Sequence, residues 1–207
     1  STSVSFSTIE QKTITTYRTD KQRAQSDVSF DIHKQKEPWS SSQLQIWLES
    51  FPNTTKRISL RSEGKVTDEF LIENLTRFSN LRFLDIGGIH GLTILGLEPV
   101  FRACPNIEVL DFNGSAGVVN DELLIIIAAL LPNLRVLRIS GGNHHVTDIG
   151  IMAIAEGCPN LENVDLTQCN LTGRGLVHLL SKCKIRLCNI NLCGKIEKDA
   201  FLAFAEK

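Results

Sequence analysis

The sequence predicts an α/β solenoid, a curved parallel sheet on the concave side with helices on the convex side, and three observations predict it. Apolar residues two apart, Ile58/Leu60, Leu84/Ile86, Leu110/Phe112, Leu137/Ile139, Val164/Leu166 and Ile190/Leu192, recur with the second member at steps of 26, 26, 27, 27 and 26. Between them lie runs whose apolar residues fall three or four apart, among them Leu71/Leu75, Leu123/Ile127, Ile151/Ile154 and Leu176/Leu179. Helix ends are marked by similar triplets: Phe51-Pro52-Asn53, Phe78-Ser79-Asn80, Cys104-Pro105-Asn106, Leu131-Pro132-Asn133 and Cys158-Pro159-Asn160. One short strand and one amphipathic helix cannot bury their apolar faces alone, so neighbouring units must stack into a continuous core.

Taken in order, residues 1–27 are rich in Ser, Thr and Gln and fit either a lead-in without structure or a strand capping the first edge. Residues 28–56 read as a divergent first repeat: Val28, Phe30 and Ile32 alternate like a strand, and Leu44, Trp47, Leu48 and Phe51 continue as a helix closing on Pro52. Residues 57–196 hold the regular repeats. Their helices are expected to start at Thr67, Thr93, Asn120, Thr147 and Thr172, whose side chains suit orphan backbone N–H groups. None of these five has Glu or Gln three residues on, so no reciprocal capping box is expected there. Proline stops four of the helix ends by restricting the residue before it. Residues 197–207 read as a C-terminal helix packing through Phe201, Leu202 and Ala205.

Composition narrows the function classes. Twenty-two Lys plus Arg against 23 Asp plus Glu leave a net charge of −1, which argues against nucleic acid or an anionic membrane surface as partner. The longest apolar run, near Leu123 to Leu131, is too short to cross a bilayer, and the Ser1 start lacks a signal-peptide pattern. Six cysteines follow the repeat, with no metal-type CxxC pair, and are expected to be reduced and mostly buried. A cytoplasmic or nuclear location fits that chemistry.

The segment Cys158-Pro159-Asn160-Leu161-Glu162-Asn163-Val164-Asp165-Leu166-Thr167-Gln168-Cys169-Asn170-Leu171-Thr172-Gly173-Arg174-Gly175-Leu176 resembles the cysteine-containing subfamily of leucine-rich repeats. The resemblance covers about residues 51–196. It implies protein recognition, and it is similar to the repeat region of F-box/LRR substrate receptors of cullin-type ubiquitin ligases. No complete F-box is recognisable in residues 1–50, so a cullin-adaptor connection would lie outside this chain. Phe78 and Leu131 fill places where cysteine is expected, while Glu63, Ile89, Ser115 and Gly142 stand where Cys169 stands.

The residues flanking the inward anchors point to the concave face. One row reads Arg57, Phe83, Val109, Val136, Asn163 and Asn189; the next reads Ser59, Asp85, Asp111, Arg138, Asp165 and Asn191; a third reads Arg61, Gly87, Asn113, Ser140, Thr167 and Cys193. The expected protein-binding residues are Arg57, Phe83, Asp85, Val109, Asp111, Val136, Arg138 and Asp165, with Phe83, Val109 and Val136 as apolar anchors and the charges selecting a complementary partner. Packing of those apolar residues under a cap or against one another is the competing reading, and Asp85 and Asp111 also fit plain solvated carboxylates. Beyond Arg61 the small third row leaves access to the other two. No cofactor or metal is expected: His90, His144 and His145 read as loop histidines, and no nucleophile elbow or phosphate loop appears. Cys188 and Cys193 are expected on opposite faces, Cys193 on the concave one without an activating base. Non-enzymatic protein–protein recognition is the first reading; a structural or assembly-stabilising subunit, joined through a helix edge or solenoid end, is the second.

Overall fold

The computed structural model describes residues 40–61, 65–115 and 117–196. The expected lead-in or cap at 1–27, the strand around Val28 to Ile32 and the helix at 197–207 lie outside the described residues. Strands and helices alternate: α1 (Ser41–Glu49), β1 (Arg57–Ser59), α2 (Asp68–Leu75), β2 (Phe83–Asp85), α3 (Ile94–Ala103), β3 (Val109–Asp111), α4 (Asp121–Leu130), β4 (Val136–Arg138), α5 (Asp148–Gly157), β5 (Asn163–Asp165), α6 (Gly173–Lys182) and β6 (Leu187–Asn189). The six strands form one sheet in sequence order, every pair parallel. Packed helices stand about 8–10 Å apart and paired strands about 4.8 Å. Stacking these units therefore bends the molecule with the sheet on the inside.

The anchors Ile58/Leu60, Leu84/Ile86, Leu110/Phe112, Leu137/Ile139 and Val164/Leu166 form the sheet side of the core and are almost entirely buried. Helix starts are as expected: Thr67, Thr93, Asn120, Thr147 and Thr172 are the N-caps, each accepting a backbone N–H. A capping box does occur, at Ser40 and Gln43 of α1, outside those five positions. Cys104, Leu131 and Cys158, each just before a proline, are C-caps. Arg77 joins α1 to the next unit, donating to the carbonyls of Leu48 (2.5 Å) and Phe51 (3.2 Å).

Neighbouring helices are also clamped at their starts. The first-turn aspartate of one helix accepts both the N–H and the hydroxyl of the next unit's N-cap threonine: Asp68 from Thr93 (2.9 and 2.5 Å), Asp121 from Thr147 (2.8 and 2.5 Å) and Asp148 from Thr172 (2.9 and 2.5 Å). Glycine stands three residues after each of these threonines for lack of space, because a Cβ at Gly96, Gly150 or Gly175 would lie 2.3, 2.6 or 2.4 Å from the aspartate oxygen.

Two sequence expectations are corrected. Asn163 pairs with Leu187, Val164 with Cys188 and Asp165 with Asn189, so the last inward anchors are Cys188 and Ile190 instead of Ile190 and Leu192. The connection Cys183-Lys184-Ile185 is shorter than its Cys158-Pro159-Asn160-Leu161 counterpart, which brings the strand in earlier. Leu192 is 76 % exposed and, with φ of 60°, occupies the turn position of Gln168 at 66°. The second correction concerns the counterpart of Cys169 in the fourth repeat. Asn143, only 1 % exposed, takes that place instead of Gly142, its amide donating to the Ile139 carbonyl and its Oδ1 lacking a partner.

Candidate protein-recognition face

On the solvent side of the sheet the register aligns Arg57, Phe83, Val109, Val136, Asn163 and Leu187. The first five are half-buried, and Leu187, not Asn189, ends the row at 63 % exposure. Alternation puts Phe83, Val109 and Val136 on this side, away from the core anchors Leu84, Leu110 and Leu137. The Arg57 guanidinium lies 3.7 Å from the Phe83 ring centroid, a cation–π contact between neighbouring strands.

The second row is Ser59, Asp85, Asp111, Arg138, Asp165 and Asn189. Asp85 and Asp111 are buried, not solvated, and already paired. Asp85 accepts from Ser59 Oγ (2.9 Å), Arg61 Nε (3.0 Å) and Gly87 N–H (3.0 Å). Asp111 accepts from Asn113 N–H at 2.9 Å and from Arg61 Nη2 at 3.0 Å, with Arg138 Nη1 at 3.4 Å. One guanidinium thus bridges carboxylates on adjacent strands and relieves their mutual repulsion. Burial alone would lower the Arg61 pKa, but the hydrogen bonds and charges of Asp85 and Asp111 outweigh it and raise it. Gly87 makes the bridge feasible, since a Cβ there would lie 2.7 Å from the Asn113 carbonyl and 2.9 Å from Arg61 Cζ.

The structure therefore gathers Arg57, Phe83, Val109 and Val136 in one strip, with Asp85, Asp111 and Arg138 alongside. Asp165 lies one strand further on; its Oδ1 accepts from the Thr167 N–H (3.1 Å) and hydroxyl (2.7 Å). Arg61 is the residue missed. Its signal was an arginine one repeat before a glycine in the third row, beside two aspartates in the second.

The family described as Leucine Rich repeat matches residues 157–180, the stretch from the end of α5 through most of α6. With six stacked strand units repeating that pattern, the assignment is direct. The fold is a leucine-rich-repeat solenoid. No curated protein matches it. Among solved structures, a chain of the yeast Rad7 and Elc1 complex is similar, with 16 % identity and a TM-score of 0.42; the match covers 79 % of this chain and 56 % of that one. This leucine-rich-repeat chain therefore spans little more than half the length of that neighbour.

The leucine-rich-repeat cysteines serve packing. Cys104 Sγ lies 3.3 Å from the Phe78 carbonyl and Cys158 Sγ 3.5 Å from that of Leu131, and burial pushes both thiols up to about 12. Cys193, expected on the sheet face, is buried in the position of Cys169, its Sγ 3.1 Å from the Leu166 carbonyl; burial raises its pKa too, so it is no exposed nucleophile. Cys188 points inward as well. Where the chain enters the strands, Arg82, Glu108, Arg135, Glu162 and Arg186 form a ladder of alternating charge with Arg82–Glu108, Arg135–Glu162 (2.7 Å) and Arg186–Glu162 (3.6 Å) pairs. Hydrogen bonding from Arg135, aided by its charge and that of Arg186, holds the Glu162 carboxyl below its usual range. Among the described residues no helix is long and apolar enough to cross a membrane.

Proposed function

We propose that this leucine-rich-repeat chain is a non-enzymatic recognition module that docks a protein on the concave face of its sheet. The observation that carries the reading is the strip Phe83, Val109 and Val136, three consecutive half-buried apolar side chains on the solvent side. A solvated sheet face is ordinarily polar, and aromatic or aliphatic groups framed by charge are the usual energetic centre of an interface. Selection of substrates for a ubiquitin ligase is the finer form of the proposal; it rests on the cysteine-bearing repeat at 158–176 and needs an adaptor-binding module outside this chain. Co-purification with cross-link mapping identifies the partner and the surface it touches. Phe83→Ala and Val136→Ala should then keep the wild-type unfolding midpoint within a narrow margin while weakening that partner, by roughly 2 kcal/mol or about thirty-fold at Phe83. Two folded variants with unaltered affinity would eliminate the strip as the docking site.

Assembly through a solenoid end has its own supporting observation. Among the described residues strand β6 is an edge of the sheet, and Leu187 within it and Leu192 after it are 63 % and 76 % exposed. Cross-links confined to residues 185–196 would favour that reading over the sheet face.

A further inference from the structure

We propose that the sheet face takes a short acidic segment with an apolar residue at its centre, an inference that rests on the docking reading above. The charges on this face are layered. Side-chain exposure is 31 % for Arg61 and 41 % for Arg138, against 11 % for Asp85 and 7 % for Asp111, so the guanidiniums form the accessible layer and the carboxylates lie beneath. Counting donors and acceptors gives the same direction. Each Asp85 and Asp111 oxygen already accepts at least one hydrogen bond. Each guanidinium carries five N–H donors. Arg61 commits Nε and Nη2 to carboxylates, Arg138 only Nη1, and Arg57 none among the described residues. A basic ligand would meet carboxylates already satisfied, whereas an acidic one meets unspent, charge-assisted donors.

The spacing sets the length and content of the ligand. Arg57 is on β1 and Arg138 on β4, three strand steps or roughly 14 Å apart, the reach of about four or five extended residues. Phe83, Val109 and Val136 lie between them, so the segment crosses the strands with its apolar side chain over this strip and carboxylates towards Arg57 and Arg138. On β5 Asp165 ends the cationic region, and among the described residues it has no ion-pair partner. A further carboxylate there would meet like charge, which fixes the boundary of the acidic stretch.

The test pans a display library of random peptides of about 12 residues on the whole chain, then titrates the enriched peptides by fluorescence at low and high salt. Enriched sequences should carry several Asp or Glu around a Phe, Leu or Ile, and binding should weaken as salt rises. Arg57→Gln and Arg138→Gln should each cost about ten-fold in affinity, and Phe83→Ala about thirty-fold. If Arg138→Gln does not fold, the salt dependence of the unaltered chain tests the same point without a substitution. Enrichment of basic or neutral peptides, or acidic peptides indifferent to both arginine changes and to salt, overturns the acidic assignment; continued sensitivity to Phe83→Ala would still leave the docking face in place. Indifference to Phe83→Ala and Val136→Ala as well removes the docking face itself, and a library that yields no binder removes the short segment.

Discussion

Arg61 is where the fold and the face depend on each other most, and Arg61→Ala exposes that dependence. The substitution removes the 3.0 Å bonds to Asp85 and Asp111 and leaves two carboxylates, 11 % and 7 % exposed, on adjacent strands. Breaking a fully buried pair by deleting one partner costs about 3–5 kcal/mol. Here Arg61 is 31 % exposed and Arg138 still reaches Asp111 at 3.4 Å, so the expected loss falls below that range, about 2–3 kcal/mol. For a chain of this size that lowers the thermal midpoint by roughly 5–10 °C. Urea unfolding of Arg61→Ala, Asp85→Asn/Asp111→Asn and the triple variant forms the deciding cycle. Neutralising the carboxylates should recover most of what Arg61→Ala loses, because no uncompensated charge then remains buried. If Arg61→Ala is as stable as wild type, or if the triple variant simply sums the separate losses, the bridge does not hold these strands and the layered-charge description is wrong.

Gly150→Ala tests the helix clamps. Alanine is the better helix former by about 1 kcal/mol, yet its Cβ would stand 2.6 Å from Asp121 Oδ1 and 2.8 Å from a Leu124 methyl. Thermal unfolding should therefore show a net loss, about 1–3 kcal/mol; a gain would show that Asp121 releases Thr147 at no cost. The cysteines give a pH dependence. Burial pushes Cys104, Cys158 and Cys169 up to about 12, against 9.0 for a free thiol. Below pH 9 both folded and unfolded chains keep these protons, and no stability is lost. Between 9 and 12 the unfolded chain releases protons that the folded chain retains, so stability falls with pH, by about 1.4 kcal/mol per unit for each thiol. Urea midpoints should show the stability gap between wild type and Cys158→Ala narrowing at that rate from about pH 9.5 upward; a gap constant to about pH 10.5 would mean that this thiol ionises in the folded state.

The strands and helix starts were legible because each depends on a pattern carried within one repeat: Leu84 and Ile86 share a face by alternation, and Thr93 caps the turn that follows it. Register at the end of the solenoid was not. Cys188, Ile190 and Leu192 lie two apart, so a slip of two residues keeps the alternation intact and leaves hydrophobic pattern alone unable to place the strand. Two one-residue deletions decide it together, one in the Cys183-Lys184-Ile185 connection and one in the loop from Val164 to Thr172, which is a residue shorter than that from Leu84 to Thr93, and a constant repeat step conceals both. Depth was hidden for a different reason. Sequence alternation assigned Asp85 and Asp111 to the correct face but said nothing of what lies over them, because Arg61 reaches them only across Gly87, one repeat further along the chain. The strip Phe83, Val109 and Val136 was visible in the sequence, whereas the cation that covers the acidic row was not.

The same limit applies to the clamps, yet the sequence holds enough to find them once the physical unit is known. Three residues act together: an aspartate in the first turn of one helix, a threonine N-cap in the next, and the glycine three positions after that threonine. The joint between α3 and α4 changes all three at once, with Ile94 for the aspartate, Asn120 for the threonine and Leu123 for the glycine. Without a carboxylate at position 94, a Cβ at position 123 no longer meets the oxygen that excludes it elsewhere, and Leu123 is fully buried there. Asn120 still caps its own helix through the Leu123 N–H at 2.9 Å, so local capping survives while the polar inter-repeat bond is replaced by apolar packing. Joint replacement is what coupling through space requires, since aspartate opposite Leu123 would clash and glycine opposite Ile94 would leave a void. The solenoid thus tolerates more than one kind of joint, since between α1 and α2 Ser41 and Phe70 replace the aspartate and the glycine while Thr67 stays. Residues about 26 positions apart, not neighbours in sequence, determine which kind forms.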